Sequence, residues 1–171
     1  MQSLERRSCR TFTTQPIEKD KLEQILHSGR HAPTGLNKQE LHFHVVTTPD
    51  LLKSMVTKIQ ESFKAIPGCE RFAENKIIYE APAVIVVTCK KSELQWAKYD
   101  CGFAMQNMMV CADMLGLCTL PIGIPTMSPN VWLKELNCEE DDELLLSLCI
   151  GYPGEDYKKE VKELTSKVTY H

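Results

Sequence analysis

Three guanidiniums and a hydroxyl fall within five residues near the start of the chain, Arg6-Arg7-Ser8-Cys9-Arg10. Twenty-two residues after Arg10 comes Ala32-Pro33-Thr34-Gly35-Leu36-Asn37-Lys38-Gln39. The first run offers forked, permanently charged donors of the kind that hold a phosphate monoester, where Arg outperforms Lys. The second suits the approach of a flat ligand. Pro33 fixes one dihedral, Gly35 lets the backbone come close, and Asn37 and Gln39 bring amides that both donate and accept toward a heteroaromatic edge. Each has a plainer reading, since a basic cluster is commonly a solvated surface and A-P-T-G a turn. Their co-occurrence in one chain weakens both plain readings.

The sequence carries no recognisable catalytic triad, paired-carboxylate site or metal cluster. His27, His31, His42, His44 and His171 have no Ser or Cys partner motif and read as surface or packed histidines. Cys9 and Cys118 sit beside the segments of interest and read as packing residues. Eight cysteines would suit a disulfide framework in a small secreted domain, but here most lie inside apolar segments such as Val87-Thr88-Cys89, Val110-Cys111 and Leu148-Cys149. With no C-x-x-C pair and no His at zinc spacing, a reduced, cytoplasmic setting is expected and no metal is.

Length and charge narrow the classes further. At 171 residues, with 43% hydrophobic and 25% charged residues, the chain reads as a single globular domain spanning 1–171. A net charge of -3 speaks against a nucleic-acid binder. Apolar runs such as Ala83 to Val87 fall far short of the roughly 20 residues a membrane span needs, and Glu5, Arg6 and Arg7 stand where a signal peptide requires its apolar core.

The elements that must position these residues follow from periodicity. Leu22, Ile25 and Leu26 have helical spacing in a segment from Ile17 that ends at Gly29, a suitable C-cap. His42 to Thr48 reads as a strand. Thr48-Pro49-Asp50 opens a helix whose face is Leu52, Met55, Val56, Ile59 and Phe63. Ala83 to Cys89 is a β-branched run fit for a central strand buried on both faces. A long helix capped by Ser92 runs to about Leu115 with Trp96, Phe103, Met105, Met108, Met109, Val110 and Met114 leaving little of its circumference polar, which predicts cover by a partner subunit. Leu117 to Ile122 and Leu144 to Tyr152 supply two more strands, with a short helix capped by Ser128 and Pro129 between them. The order predicts an α+β fold, a central mixed sheet enclosed by helices. From Glu155 the tail is rich in Lys and Glu, too polar for a core, and is expected to lie across another subunit.

Four motifs in order resemble the FMN-dependent nitroreductase family. Its members begin with R-R-S-x-R-x-F, here Arg6 to Phe12, and continue with A-P-S-G-x-N-x-Q-P, here with Thr34 for Ser and Glu40 for the final Pro. Asp100-Cys101-Gly102 through Met109, continuing to Leu115-Gly116-Leu117 and Pro121-Ile122-Gly123, resembles the family's central helix and following strand, and Ile150-Gly151-Tyr152-Pro153 is the fourth match. The resemblance implies a nitroreductase-like homodimer with the long helix at its interface and FMN as cofactor. It implies that Arg6, Arg10 and Ser8, with Arg7 close behind, hold the phosphate and ribityl end, joined by Lys162 or, second, Lys159. It also implies that Pro33, Thr34, Asn37 and Gln39 meet the isoalloxazine edge across the dimer interface, and that Pro121, Ile122 and Gly123 bring a backbone N–H to flavin N5. The flavin carries the hydride chemistry, so no catalytic side chain is expected. The implied activity is ping-pong hydride transfer from NADH or NADPH to a nitroaromatic, quinone or similar small acceptor. The same fold also allows reductive dehalogenation or flavin fragmentation, which use an inserted lid; residues 60 to 76, with Glu61, Lys64, Glu70, Arg71, Asn75 and Lys76, form at most a modest one. A flavin-binding redox sensor without turnover, motivated by the cysteines, is the alternative from another class.

Overall fold

The computed structural model describes residues 6–171; Glu5, which entered the reading of the N-terminus, lies outside them. Its centre is a four-stranded sheet in the order β1-β2-β4-β3, made of His42–Val46 (β1), Ala83–Lys90 (β2), Cys118–Ile122 (β3) and Asp142–Gly151 (β4). Every neighbouring pair runs antiparallel, with Val45 opposite Ile85, Ile85 opposite Leu148 and Leu120 opposite Cys149. The parallel component of the mixed sheet is a single bridge, Ser8 to Thr119, by which the first motif lies along the free edge of β3.

Seven of the eight residues of β2 are buried because helices cover both faces of the sheet. Side chains alternate between faces, so Val84 and Val86 join one core with Leu52, Met55, Ile59 and Phe63 of α2 (Pro49–Lys64) and Trp132 and Leu133 of α4 (Pro129–Glu135). Ile85, Val87 and Cys89 face the second core, built with Ile25 of α1 (Lys19–Arg30) and Cys101, Met105, Met108, Met109 and Ala112 of α3 (Leu94–Met114). Each such aliphatic side chain removed from water contributes about 1.5–3 kcal/mol, which makes the two cores the main source of stability. The buried indole of Trp132 is satisfied by donating to the Met55 carbonyl at 3.0 Å.

Several local expectations are corrected by packing. Gly29 does not cap α1; it lies inside the helix, where a Cβ would stand 2.7 Å from Met108 Cγ, so the glycine is what lets α1 approach α3. Ser92 lies in a single 3-10 turn before α3, and the N-cap, Glu93, makes no side-chain capping bond. Neither Thr48 nor Ser128 caps through its side chain; each precedes a proline at the first turn. Residues 60 to 76 form no lid. After α2 the chain turns through Glu70–Phe72, is tied by Gln60 Nε2 donating to the Asn75 carbonyl, and packs Ile66, Cys69, Phe72 and Ala73 onto the first core.

Candidate functional site

The first motif is held at one end of α3. The Cys9 amide donates to the Thr119 carbonyl at 2.9 Å, which pins the segment to β3. The tail then returns to it. Arg7 Nε donates to the Glu160 carbonyl at 2.6 Å, the Tyr157 hydroxyl donates to the Arg7 carbonyl at 3.3 Å, and Lys159 reaches Asp113 Oδ1, near the end of α3, at 3.1 Å. Lys159, the second choice from sequence, is therefore the lysine brought to this end. Lys162 is exposed and makes no hydrogen bond or ion pair among the described residues. Arg10 is exposed, whereas Arg6 is half-buried with Nη1 shielded from water and without a hydrogen-bond partner. A guanidinium nitrogen left so is costly unless an anion completes it. That orphaned donor, next to Ser8 and two further arginines, fits the phosphate of FMN.

The second motif is held at the other end of the same helix. Asp100 of α3 is buried, and its Oδ2 accepts the Gly35 amide at 2.9 Å. The loop beyond is internally bonded. Asn37 N donates to the Thr34 carbonyl (3.0 Å), Gln39 N to Thr34 Oγ1 (3.1 Å), and Gln39 Nε2 to Asn37 Oδ1 (3.1 Å). Leu36, Asn37 and Gln39 all adopt positive φ, 53°, 55° and 55°. The strained backbone is thus on three side-chain-bearing residues and not on Gly35, where a Cβ would make only an ordinary contact, 3.5 Å from Trp96 Cβ. Leu36 is 93% exposed although its conformation costs about 1–2 kcal/mol. Thr34, Asn37 and Gln39 line a cavity of about 580 Å³ together with His27, Arg30, His31, Leu41 and Phe43; Pro33 is exposed beside it. A larger cavity, about 800 Å³ and walled by Ile17, Leu22, Leu52 and Val56, holds none of the proposed cofactor residues.

The third segment completes the inventory. Pro121 and Ile122 pair with Leu148 and Ser147 at the end of β3, and Gly123 turns the chain, its carbonyl accepting from Thr126 N (2.9 Å) and Oγ1 (2.7 Å). Gly123 has an ordinary φ of -98°, and a Cβ there would meet only Leu146 Cδ2 at 3.9 Å. Nothing inside the chain requires glycine at this point, so its open face is free for a ligand to approach.

Of the two residues that anchor the halves, Asp100 opened the third motif without an assigned role, and Asp113 was missed. They are thirteen residues apart, about 20 Å along the axis at 1.5 Å per residue. One chain therefore does not bring the arginines and the Asn37 loop together. Along its length α3 leaves an apolar stripe uncovered, Trp96, Tyr99, Phe103 and Met114, each half or more exposed. Met108 and Met109 are not on it; they are buried in the chain's own second core.

Electrostatics separate the remaining groups. Both oxygens of Glu40 are buried without a hydrogen-bond partner, and burial, followed by the neighbouring Asp100 carboxylate, holds its pKa above the usual carboxylate value. Burial pushes the Cys118 thiol up to about 12 and Cys101 to about 12, the wrong direction for a reactive thiolate. The cysteines thus give a redox sensor little support. Among the described residues no cluster of His, Cys, Asp or Glu is arranged to hold a metal, and no helix is long and apolar enough to cross a membrane.

The chain is similar to several known proteins. Chloronitrobenzene nitroreductase of Comamonas testosteroni is 24% identical over 190 residues, covering 86% of this chain and 83% of that protein. FMN reductase [NAD(P)H] of Bacillus subtilis is 27% identical over 161 residues, which cover 87% of this chain and 63% of the relative. A nitroreductase of Bacteroides fragilis, solved with bound FMN, superposes with a TM-score of 0.85 at 25% identity, covering 96% of this chain and 95% of that one. The family model of the nitroreductase family matches residues 4–152, and the chain belongs to that family.

Proposed function

We propose that the protein is an FMN-dependent oxidoreductase that carries hydride from NADH or NADPH to a nitroaromatic, quinone or similar small acceptor. The observation that carries this reading is Arg6 Nη1, a buried guanidinium nitrogen without a hydrogen-bond partner, in the same motif as Ser8 and Arg10 of a chain of the nitroreductase family. The names of the relatives support it: one is an FMN reductase using NAD(P)H, another a nitroreductase, and a third was solved with FMN bound.

In this reading Arg6 and Arg10 neutralise the phosphate, Ser8 bonds the phosphate or ribityl oxygens, and Arg7 with Lys159 braces the segment. Lys162 remains the alternative lysine. Thr34, Asn37 and Gln39, with Pro33 stiffening the turn, orient the ring edge, and Pro121, Ile122 and Gly123 bound the opposite approach. FMN, when bound, would supply the hydride chemistry between reduced nicotinamide and the acceptor, with one pocket serving both. The chain's own contribution is binding, orientation and exclusion of water.

Each site is shared by two chains of a homodimer. Support comes from the separation of Asp100 and Asp113, about 20 Å along α3, and the exposed apolar stripe on the same helix, which two antiparallel copies of α3 would cover while placing one chain's Asn37 loop near the other's arginines. Purified protein tests the activity directly. Bound FMN should be released on denaturation, its visible absorbance should bleach anaerobically with NADH or NADPH, and a nitroaromatic or quinone should restore it. Parallel double-reciprocal plots are expected for the two-step scheme. FMN that stays oxidised with both reductants would overturn the proposal.

A further inference from the structure

The cavity that holds Thr34, Asn37 and Gln39 has a second wall that the cofactor does not use. It comes from the last turn of α1, where His27, Arg30 and His31 stand at i, i+3 and i+4 and so share one face. The two imidazoles stack with centroids 4.0 Å apart. His31 Nδ1 lies 2.8 Å from the His27 carbonyl, which can only accept, so that N–H is spent on the helix's own backbone. Arg30 is exposed and makes no ion pair or hydrogen bond among the described residues. The chain has 23 acidic against 20 basic residues, yet no carboxylate lines this cavity. Leu41 and Phe43 supply an apolar surface beside it.

Basic residues in a last helical turn commonly serve the helix terminus. That account covers His31, whose ring bonds a terminal carbonyl, but Arg30 makes no such bond. We propose that Arg30, on the cavity wall it shares with His27 and His31, takes the 2′-phosphate of NADPH, making the enzyme selective for the phosphorylated dinucleotide. The assignment rests on the oxidoreductase reading above. A 2′-phosphate is a monoester dianion, matched by the guanidinium fork of Arg30 better than the singly charged diester oxygens of the pyrophosphate are. The adjoining adenine is a flat base that Leu41 and Phe43 suit.

The test compares kcat/KM for NADPH and NADH in the wild-type holoenzyme, Arg30→Ala and Arg30→Lys, alongside calorimetric titration of each with adenosine 2′,5′-bisphosphate and adenosine 5′-phosphate. Wild type should prefer NADPH and bind the bisphosphate more tightly. Arg30→Ala should cut the NADPH-to-NADH selectivity roughly ten- to hundredfold, the loss expected of one charge-assisted contact, and Arg30→Lys should keep part of it. Because Arg30 is exposed, an unchanged melting temperature should accompany the loss. Wild-type preference for NADH, an equal loss on both reductants, or equal binding of the two adenosine phosphates would overturn the assignment. If neither reductant is oxidised, the oxidoreductase reading fails, and the titration still decides whether this wall binds a 2′-phosphate.

Discussion

Asp100 and Gly35 stand 65 residues apart in the chain and are joined by one hydrogen bond, from the Gly35 amide to Asp100 Oδ2 at 2.9 Å. The bond fixes a loop with three positive-φ residues to the most rigid element beside it. Asp100→Ala leaves a donor unpaired and frees the loop. Denaturant unfolding should show a loss of about 1–3 kcal/mol, with weaker FMN retention on gel filtration. Unchanged stability and full flavin content would mean that the loop holds itself.

The buried, unpartnered Arg6 nitrogen leads to a second expectation. Arg6→Ala should weaken FMN roughly ten- to hundredfold, and Arg6→Ala with Arg10→Ala more. Asn37→Ala should weaken FMN while leaving the dimer intact. If the site is shared, mixing the double arginine variant with Asn37→Ala concentrates both defects in one of the two sites of a heterodimer and restores flavin to the other. Absence of recovery, with heterodimers seen by mass spectrometry, would place Asn37 and the arginines in the same chain's site.

Glu40 gives a pH-dependent prediction. Its pKa is raised in the folded protein, chiefly by burial, so the stability linked to it is present below the ordinary carboxylate range and is lost as pH rises through the folded-state pKa. Glu40→Gln, neutral throughout, should melt higher than wild type at pH 7, and the gap should close near pH ~4, where free carboxyls protonate. A variant that is less stable at pH 7 would show that the Glu40 charge is satisfied by a donor.

The stripe on α3 separates interface from core. Phe103→Asp places a charge on an exposed position and should yield a folded monomer by light scattering. Met108→Asp buries an unpaired charge beneath α1, where Gly29 already packs to the limit, and should cost about 3–5 kcal/mol, enough to unfold much of the protein. A monomeric wild type, or a dimeric Phe103→Asp, would refute the assignment of this face.

Local sequence determined the elements because their signals are local. The β-branched run of β2, the period of Leu52, Met55, Ile59 and Phe63, and the proline openings of α2 and α4 each follow from backbone and side-chain preferences within a few residues. The motifs likewise named the arginines and the Asn37 loop. Which side of α3 faces outward could not be read, since Met, Trp, Phe and Cys on all sides give no polar face to orient it. Packing decided that: Met108 went inward because Gly29 offers room only for a bare backbone, and Trp96, Tyr99 and Phe103 were left outside. The ion pair of Lys159 with Asp113, the strain at Leu36 and the orphaned Arg6 nitrogen are also tertiary facts. Each depends on where chain segments far apart in sequence meet, and a distance across space leaves no mark in the local pattern of residues.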